Sequence, residues 1–186
     1  MRITAAAYLP FARDFEGSVP HLYLDTVGVV TVGIGHALES VEEATDLPFT
    51  AGPHGPKASA AQIEADYLRV KAQPKGRTAG FYRRFSQIVL ADAAIADLFV
   101  ADADDVLADL ARRIPEFDTL PAPAQLALLD LALNLGVRGL LEGFPRMLGC
   151  LARRHWAGCA TESRRPQLGD ARNRQVAAWL RAAASG

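Results

Sequence analysis

The stretch PAPAQLALLDLALNLG, Pro121 to Gly136, constrains the fold more than any other part of the chain. It is apolar nearly all the way round a helical wheel, and a helix without a polar face has to be surrounded by other elements. Pro123 suits its first turn and Gly136 its end. The segments that follow provide the surroundings. Shorter amphipathic helices are expected from Gly143 to about Arg153, around Trp156 to Glu162, and from Ala171 to Ala184. Trp156 and Trp179 fall at helical spacing from apolar neighbours and read as core. A chain of 186 residues, half of them hydrophobic and 22% charged, can bury such a core and is not disordered.

Upstream the pattern changes. Ala93 to Arg113 reads as one long helix with Ile95, Leu98, Phe99, Val106, Leu107 and Leu110 as its apolar positions, long enough to join two lobes. Before it, a short helix with Pro10 in its first turn ends at Glu16, where Gly17 is the stop. Leu22 to Leu24 and Val27 to Val32 read as the strands of an antiparallel hairpin turned by Asp25 to Gly28, and Gly33 and Gly35 mark a bend beyond it. Leu47 to Lys57 is Pro- and Gly-rich and reads as an irregular loop. Ser59 and Gln62 have capping-box spacing for a helix to about Ala72. The expected architecture is α+β and mostly helical, in one two-lobed domain. Residues 1–90 form a lobe bearing a small antiparallel hairpin or sheet, 91–114 the linking helix, and 115–186 an all-helical lobe.

Composition removes several classes of function. No run of about 18 apolar residues is present, so no membrane-spanning helix is expected. The N-terminus does not read as a signal peptide, which implies synthesis in the cytoplasm and another route to any target outside it. Cys150 and Cys159 make neither a disulfide framework nor a metal site; nine residues apart on one helix they would face opposite ways, and free thiols are expected. The net charge of −1 hides an acidic stretch, net −6 over Leu90 to Leu120, and a basic one, net +6 over Arg138 to Gly186. The basic stretch suits an anionic ligand, but no nucleic-acid motif accompanies it.

Two acids stand out. A glutamate closing a helix meets the negative end of the helix dipole, and local rule breaks of this kind tend to mark functional positions. Phe15 and the hairpin are placed to desolvate Glu16, an environment that keeps a carboxyl protonated and ready to act as an acid. Asp25 opens a turn whose N–H groups can hold it ionised. Thr31, six residues on, has a hydroxyl that can both donate to and accept from a water. Two carboxyls in contrasting environments are what glycoside hydrolysis uses, although a plain turn aspartate and a solvated helix end have the same local signature.

Written out, Glu16 to His36 is E-G-x₄-L-Y-x-D-x₂-G-x₂-T-x-G-x-G-H. This resembles the opening of phage-type lysozymes, the glycoside hydrolase family that includes the lysozymes of T-even phages and many endolysins. The resemblance implies Glu16 as general acid, with Asp25 and Thr31 placing the attacking water. It continues more weakly in IADLF with Asp102, similar to the family's linking helix, and in ALNLGVRGLLEGFPRML, where Asn134 matches a polar cleft residue. In the last helix an ungapped match through Ser163 and Arg164 puts Arg172 on the arginine that pairs with the catalytic glutamate. A match on Asn173 and Arg174 would choose Arg174 instead. Arg172 is preferred, because Val176 and Leu180 then fall on buried positions. His36 is expected to order structure through a carboxylate, one on the linking helix being a candidate. Leu38 to Ile88 is unlike the family's small members, and Pro145, Arg146 and Met147 replace its usual hydroxyl residues.

The resemblance implies a monomeric muramidase that binds peptidoglycan strands in a cleft between lobes, with no metal or cofactor and no insertion into membranes. Lysis after release through a holin pore, or delivery into a target cell as a toxin, both fit. In the second case Leu38 to Ile88 would dock a delivery apparatus or an immunity protein. The competing expectations are a lytic transglycosylase acting on the same bond and a peptidoglycan-binding module without catalysis.

Overall fold

Caps and breaks in the sequence set the elements of the computed structural model, which describes residues 1–185. It is α+β and 62% helical, the mostly helical class expected. The chain divides into two compact units, Leu9–Asp102 and a second made of Met1–Tyr8 with the chain from Ala103 onward. The expected boundaries are therefore displaced. The division falls inside the long helix, and the first eight residues belong with the C-terminal half.

The Leu9–Asp102 unit begins with α1 (Leu9–Glu16) and a three-stranded antiparallel sheet of β1 (Val19–Leu24), β2 (Val30–Gly33) and β3 (His36–Leu38), in that order. Leu24, Val30 and Leu38 are register partners in one row and all are buried, while Tyr23, Thr31 and Ala37 form the row on the opposite face. β2 starts at Val30, later than the sequence implied, because the Asp25 side chain captures the N–H groups of Val27, Gly28 and Val29 and keeps them in the turn. After α2 (Val41–Asp46), the expected loop contains β4 (Thr50–Ala51), which pairs with β5 (Ile88–Val89). The capping box of α3 (Ala60–Lys71) is present, with Ser59 accepting from the Gln62 N–H and the Gln62 side chain accepting from the Ser59 N–H. Asp66, buried on α3, accepts from the backbone N–H groups of Gln87 and Ile88 and from Arg69, and so ties the helix to β5. A short α4 (Ala79–Tyr82) and the first half of α5 (Asp92–Arg113) complete the unit.

In the second unit the N-terminal segment is held by long-range bonds. The Met1 amino group donates to the Asp118 carbonyl, the Arg2 fork grips the Asp118 carboxylate at 2.7 and 2.9 Å, and the Ile3 N–H donates to Gln125. The central helix is α6 (Ala122–Gly143), whose Ala124, Ala127, Leu128, Leu129 and Leu131 are fully buried. At Gly136 (φ 72°, ψ 153°) the backbone leaves helical geometry, so the first helical stretch ends where the sequence placed its end and a second stretch continues α6 beyond the kink. By length and composition alone α6 could cross a membrane, but more than half of its apolar window is buried within the fold, as in a core helix. Helices α7 (Pro145–Ala152), α8 (Trp156–Glu162) and α9 (Asp170–Ala182) follow, with α9 packed against α6 and α8 against both α7 and α9. Trp179 is core, its ring 6.0 Å from Tyr8. Trp156, expected in the core, is only half-buried at the first position of α8. Cys150 and Cys159 are free and lie on separate helices, α7 and α8, so the one-helix geometry does not apply.

Candidate active site

Glu16 is the last residue of α1. Gly17 follows at φ +75°, the left-handed conformation that ends a helix, and its N–H donates to the Arg13 carbonyl at 3.0 Å. Glu16 is exposed. The desolvation expected from Phe15 and the hairpin is therefore not provided: Phe15 is itself half-buried, and the glutamate sits at the solvent side of the helix end.

Asp25 is built differently. Its Oδ1 accepts three backbone N–H groups, from Val27 at 3.0 Å, Gly28 at 2.7 Å and Val29 at 2.7 Å. Its own N–H donates to the Val29 carbonyl at 3.0 Å, which closes the turn. All three side-chain bonds fall on one oxygen, so Oδ2 has no hydrogen bond among the described residues. Thr31 is 3% exposed in the central strand, and its hydroxyl donates to the Val29 carbonyl at 3.1 Å. Asp25 and Thr31 are thus both fastened to Val29, one through its N–H and the other through its C=O.

Tyr23, to which the sequence reading gave no role, is the register partner of Thr31 on the same sheet face. Its phenol is pushed up first by burial and then by the negative charges of Asp25 and Glu16. The two carboxyls therefore both act on one ring. The signal available in sequence was the two-residue spacing of Tyr23 and Asp25, which puts both on one side of a strand.

The Gly-x-Gly-His end of the motif has a packing reason. Gly33 adopts φ +68°, and a Cβ there would lie 3.2 Å from Ile95 Cγ2 on α5, so a side chain would be both strained and crowded. His36 stands on β3 with Nδ1 2.7 Å from Asp102 Oδ2, the expected carboxylate on the long helix. Glu16, Asp25, Thr31 and His36 all belong to the Leu9–Asp102 unit.

Asn134, Arg172 and Arg174 belong to the other unit. Asn134 on α6 and Arg174 on α9 are exposed. Arg172 is 8% exposed, and its Nε donates to Asp130 Oδ1 at 2.9 Å. Asp130 is fully buried in α6 and also accepts from the Tyr8 hydroxyl and, at 2.5 Å, from Arg165 Nη2. Arg165 is itself fully buried, with Nε and Nη1 unpartnered among the described residues. Burial, followed by the Asp130 charge, pushes the Tyr8 phenol upward. Sequence reasoning named Arg172 but not its companions Tyr8, Asp130 and Arg165. The available signal was Asp130, the one charged residue between Ala122 and Gly136.

Among the described residues no group of three or more His, Cys, Asp or Glu side chains is arranged to hold a metal ion. No protein-family model and no curated protein matches the chain.

Proposed function

We propose that this chain is a muramidase of the phage-type lysozyme family, hydrolysing the β-1,4 bond between N-acetylmuramic acid and N-acetylglucosamine in peptidoglycan with inversion. The observation that carries the reading is the division of labour at Asp25. One oxygen is fixed by three N–H groups and the other is left for a water. Because the Thr31 hydroxyl proton is committed to Val29, Thr31 can only accept from that water. A water that donates one proton to Asp25 Oδ2 and the other to Thr31 Oγ1 has a lone pair left to aim at the anomeric carbon. Asp25 takes up the proton as the C–O bond forms.

Glu16 supplies the second half of the reaction by protonating the leaving oxygen from the opposite face. In this reading the bound glycan provides the desolvation that the protein alone does not. An inverting mechanism needs room for water between the carboxyls, roughly 6.5–9.5 Å, and forms no covalent sugar–enzyme bond. Acid–base assistance of this kind contributes about 10²–10⁴-fold, and positioning by the rigid turn adds to it. The motif from Glu16 to His36 supports the family assignment, and the basic second unit suits the carboxylates of the wall.

Product analysis tests the reading. Digestion of purified peptidoglycan in H₂¹⁸O should release N-acetylmuramic acid ends that are reducing, labelled and initially α. Release of 1,6-anhydro ends would instead assign a lytic transglycosylase, and binding without cleavage an inactive module.

A further inference from the structure

From Arg69 to Ala91 the chain has six cationic residues and no acid. Two of the six are engaged locally: Arg69 pairs with Asp66 at 2.6 Å, and Lys71 donates to the Gly28 carbonyl at 2.9 Å. The other four, Lys75, Arg77, Arg83 and Arg84, are exposed and have no carboxylate partner among the described residues.

Aromatic rings order part of the charge. Phe81 and Phe85 are half-buried with centroids 5.5 Å apart, and the Arg84 guanidinium lies 4.4 Å from one centroid and 5.0 Å from the other. Arg77 stands 5.8 Å from Phe81. Stacking on a ring fixes a guanidinium plane while its N–H edge stays free, which suits two-pronged contact with phosphate oxygens.

Apolar residues flank the same stretch. The exposed large hydrophobics are Met1, Val27 at 70% and Leu68 at 53%. Leu68 on α3 stands three residues before Lys71, a spacing that makes the two neighbours on one helix face. Val27 sits in the hairpin turn beside Gly28, where Lys71 is bonded and where the Lys75 stem would meet a Cβ at 3.5 Å. Cations without carboxylate partners beside exposed aliphatic and half-buried aromatic groups make an interfacial surface, because apolar groups gain from a lipid boundary and not from a dissolved polyanion.

We propose that the surface around Lys75, Arg77, Arg83 and Arg84, with Val27 and Leu68, docks on membranes rich in anionic phospholipid. The cations bind headgroup phosphates, and the apolar side chains enter the interface without spanning it. The proposal is independent of glycan hydrolysis.

Co-sedimentation of the full chain with vesicles tests it, comparing phosphatidylcholine alone with an equal mixture of phosphatidylcholine and phosphatidylglycerol. Binding is expected on the mixed vesicles only, and is expected to be lost between about 0.05 M and about 0.5 M salt. Arg77→Gln with Arg84→Gln should weaken it about thirtyfold, at roughly fivefold per cation. Lys75→Gln, which touches neither ring, should weaken it about fivefold. Val27→Ser with Leu68→Ser should reduce vesicle binding but leave binding to soluble polyphosphate unchanged. The charge-matched pair Arg146→Gln and Arg181→Gln, in the other unit, should have no effect. The proposal is overturned by equal binding to neutral vesicles, by no binding, or by an equal loss in the control pair. Vesicle binding indifferent to Val27 and Leu68, and matched by polyphosphate, would assign the surface to a soluble polyanion instead.

Discussion

Replacing Asp25 in two ways separates its structural role from its chemical one. In Asp25→Ala all three bonds to Val27, Gly28 and Val29 are lost. At about 0.5–1.5 kcal/mol net for each bond, and with water able to reach a half-buried turn, the loss comes to about 2 kcal/mol. With a urea slope of about 2 kcal/mol per molar, the unfolding midpoint falls by about 1 M. Asp25→Asn keeps an oxygen at the Oδ1 position and so keeps the three bonds, losing only their charge assistance, less than about 1 kcal/mol. The same change puts an NH₂ group where Oδ2 was. A donor there cannot accept the water's proton and turns the water the wrong way. Activity should fall about 10²–10⁴-fold, equivalent to about 3–5 kcal/mol in the barrier, far more than the change in stability. Urea titration and reducing-end release, measured on the same preparations, give both numbers. The reasoning is refuted if Asp25→Asn retains activity within threefold of wild type, or if it is as unstable as Asp25→Ala.

Thr31→Val keeps the buried shape and removes the water's second acceptor. It should lower turnover on peptidoglycan at least tenfold while co-sedimentation with cell walls stays unchanged. Asp130→Asn leaves the fully buried Arg165 without a carboxylate partner and should cost about 3–5 kcal/mol in urea titration, whereas a loss below about 1 kcal/mol would show the cluster to be open to water. Burial, with Cys150 nearby, pushes the Cys159 thiol up to about 11. Since the folded value lies above the unfolded one, this contribution is complete below the unfolded thiol's value of about 8.5 and is lost as pH rises through about 11. Stability measured against pH should therefore fall less steeply over that window in Cys159→Ala than in wild type.

Local chemistry made much of the fold legible. Ser59 and Gln62 announced the start of α3, Gly17 the end of α1, and the apolar spacing from Ile95 to Leu110 the long α5. The carboxylate partner of His36 could be anticipated on that helix, because a Gly-flanked bend brings the strand end against it. The remainder depended on long-range pairing. Nothing local in Met1 to Tyr8 says that it belongs with Asp118, Gln125 and Asp130 rather than with α1. The late start of β2 depended on where one Asp25 oxygen pointed, which strand propensity in the Val-rich run could not reveal. At the candidate site, residue types singled out Glu16, Asp25 and Thr31, but a plain turn aspartate and a solvated helix end fitted them as well, and only the resemblance to phage-type lysozymes implied catalytic roles. The exposure of Glu16, the shared anchor at Val29 and the pairing of Tyr23 with Thr31 became visible only with coordinates.

Release of reducing ends from purified peptidoglycan by wild-type protein and by Glu16→Gln tests the proposed chemistry most directly. Wild type should cleave, and the Gln variant, with a neutral side chain at an exposed position and a wild-type melting curve, should show no release above background. Cleavage by Glu16→Gln at near the wild-type rate would contradict the assignment of Glu16 as the acid, and with it the muramidase mechanism.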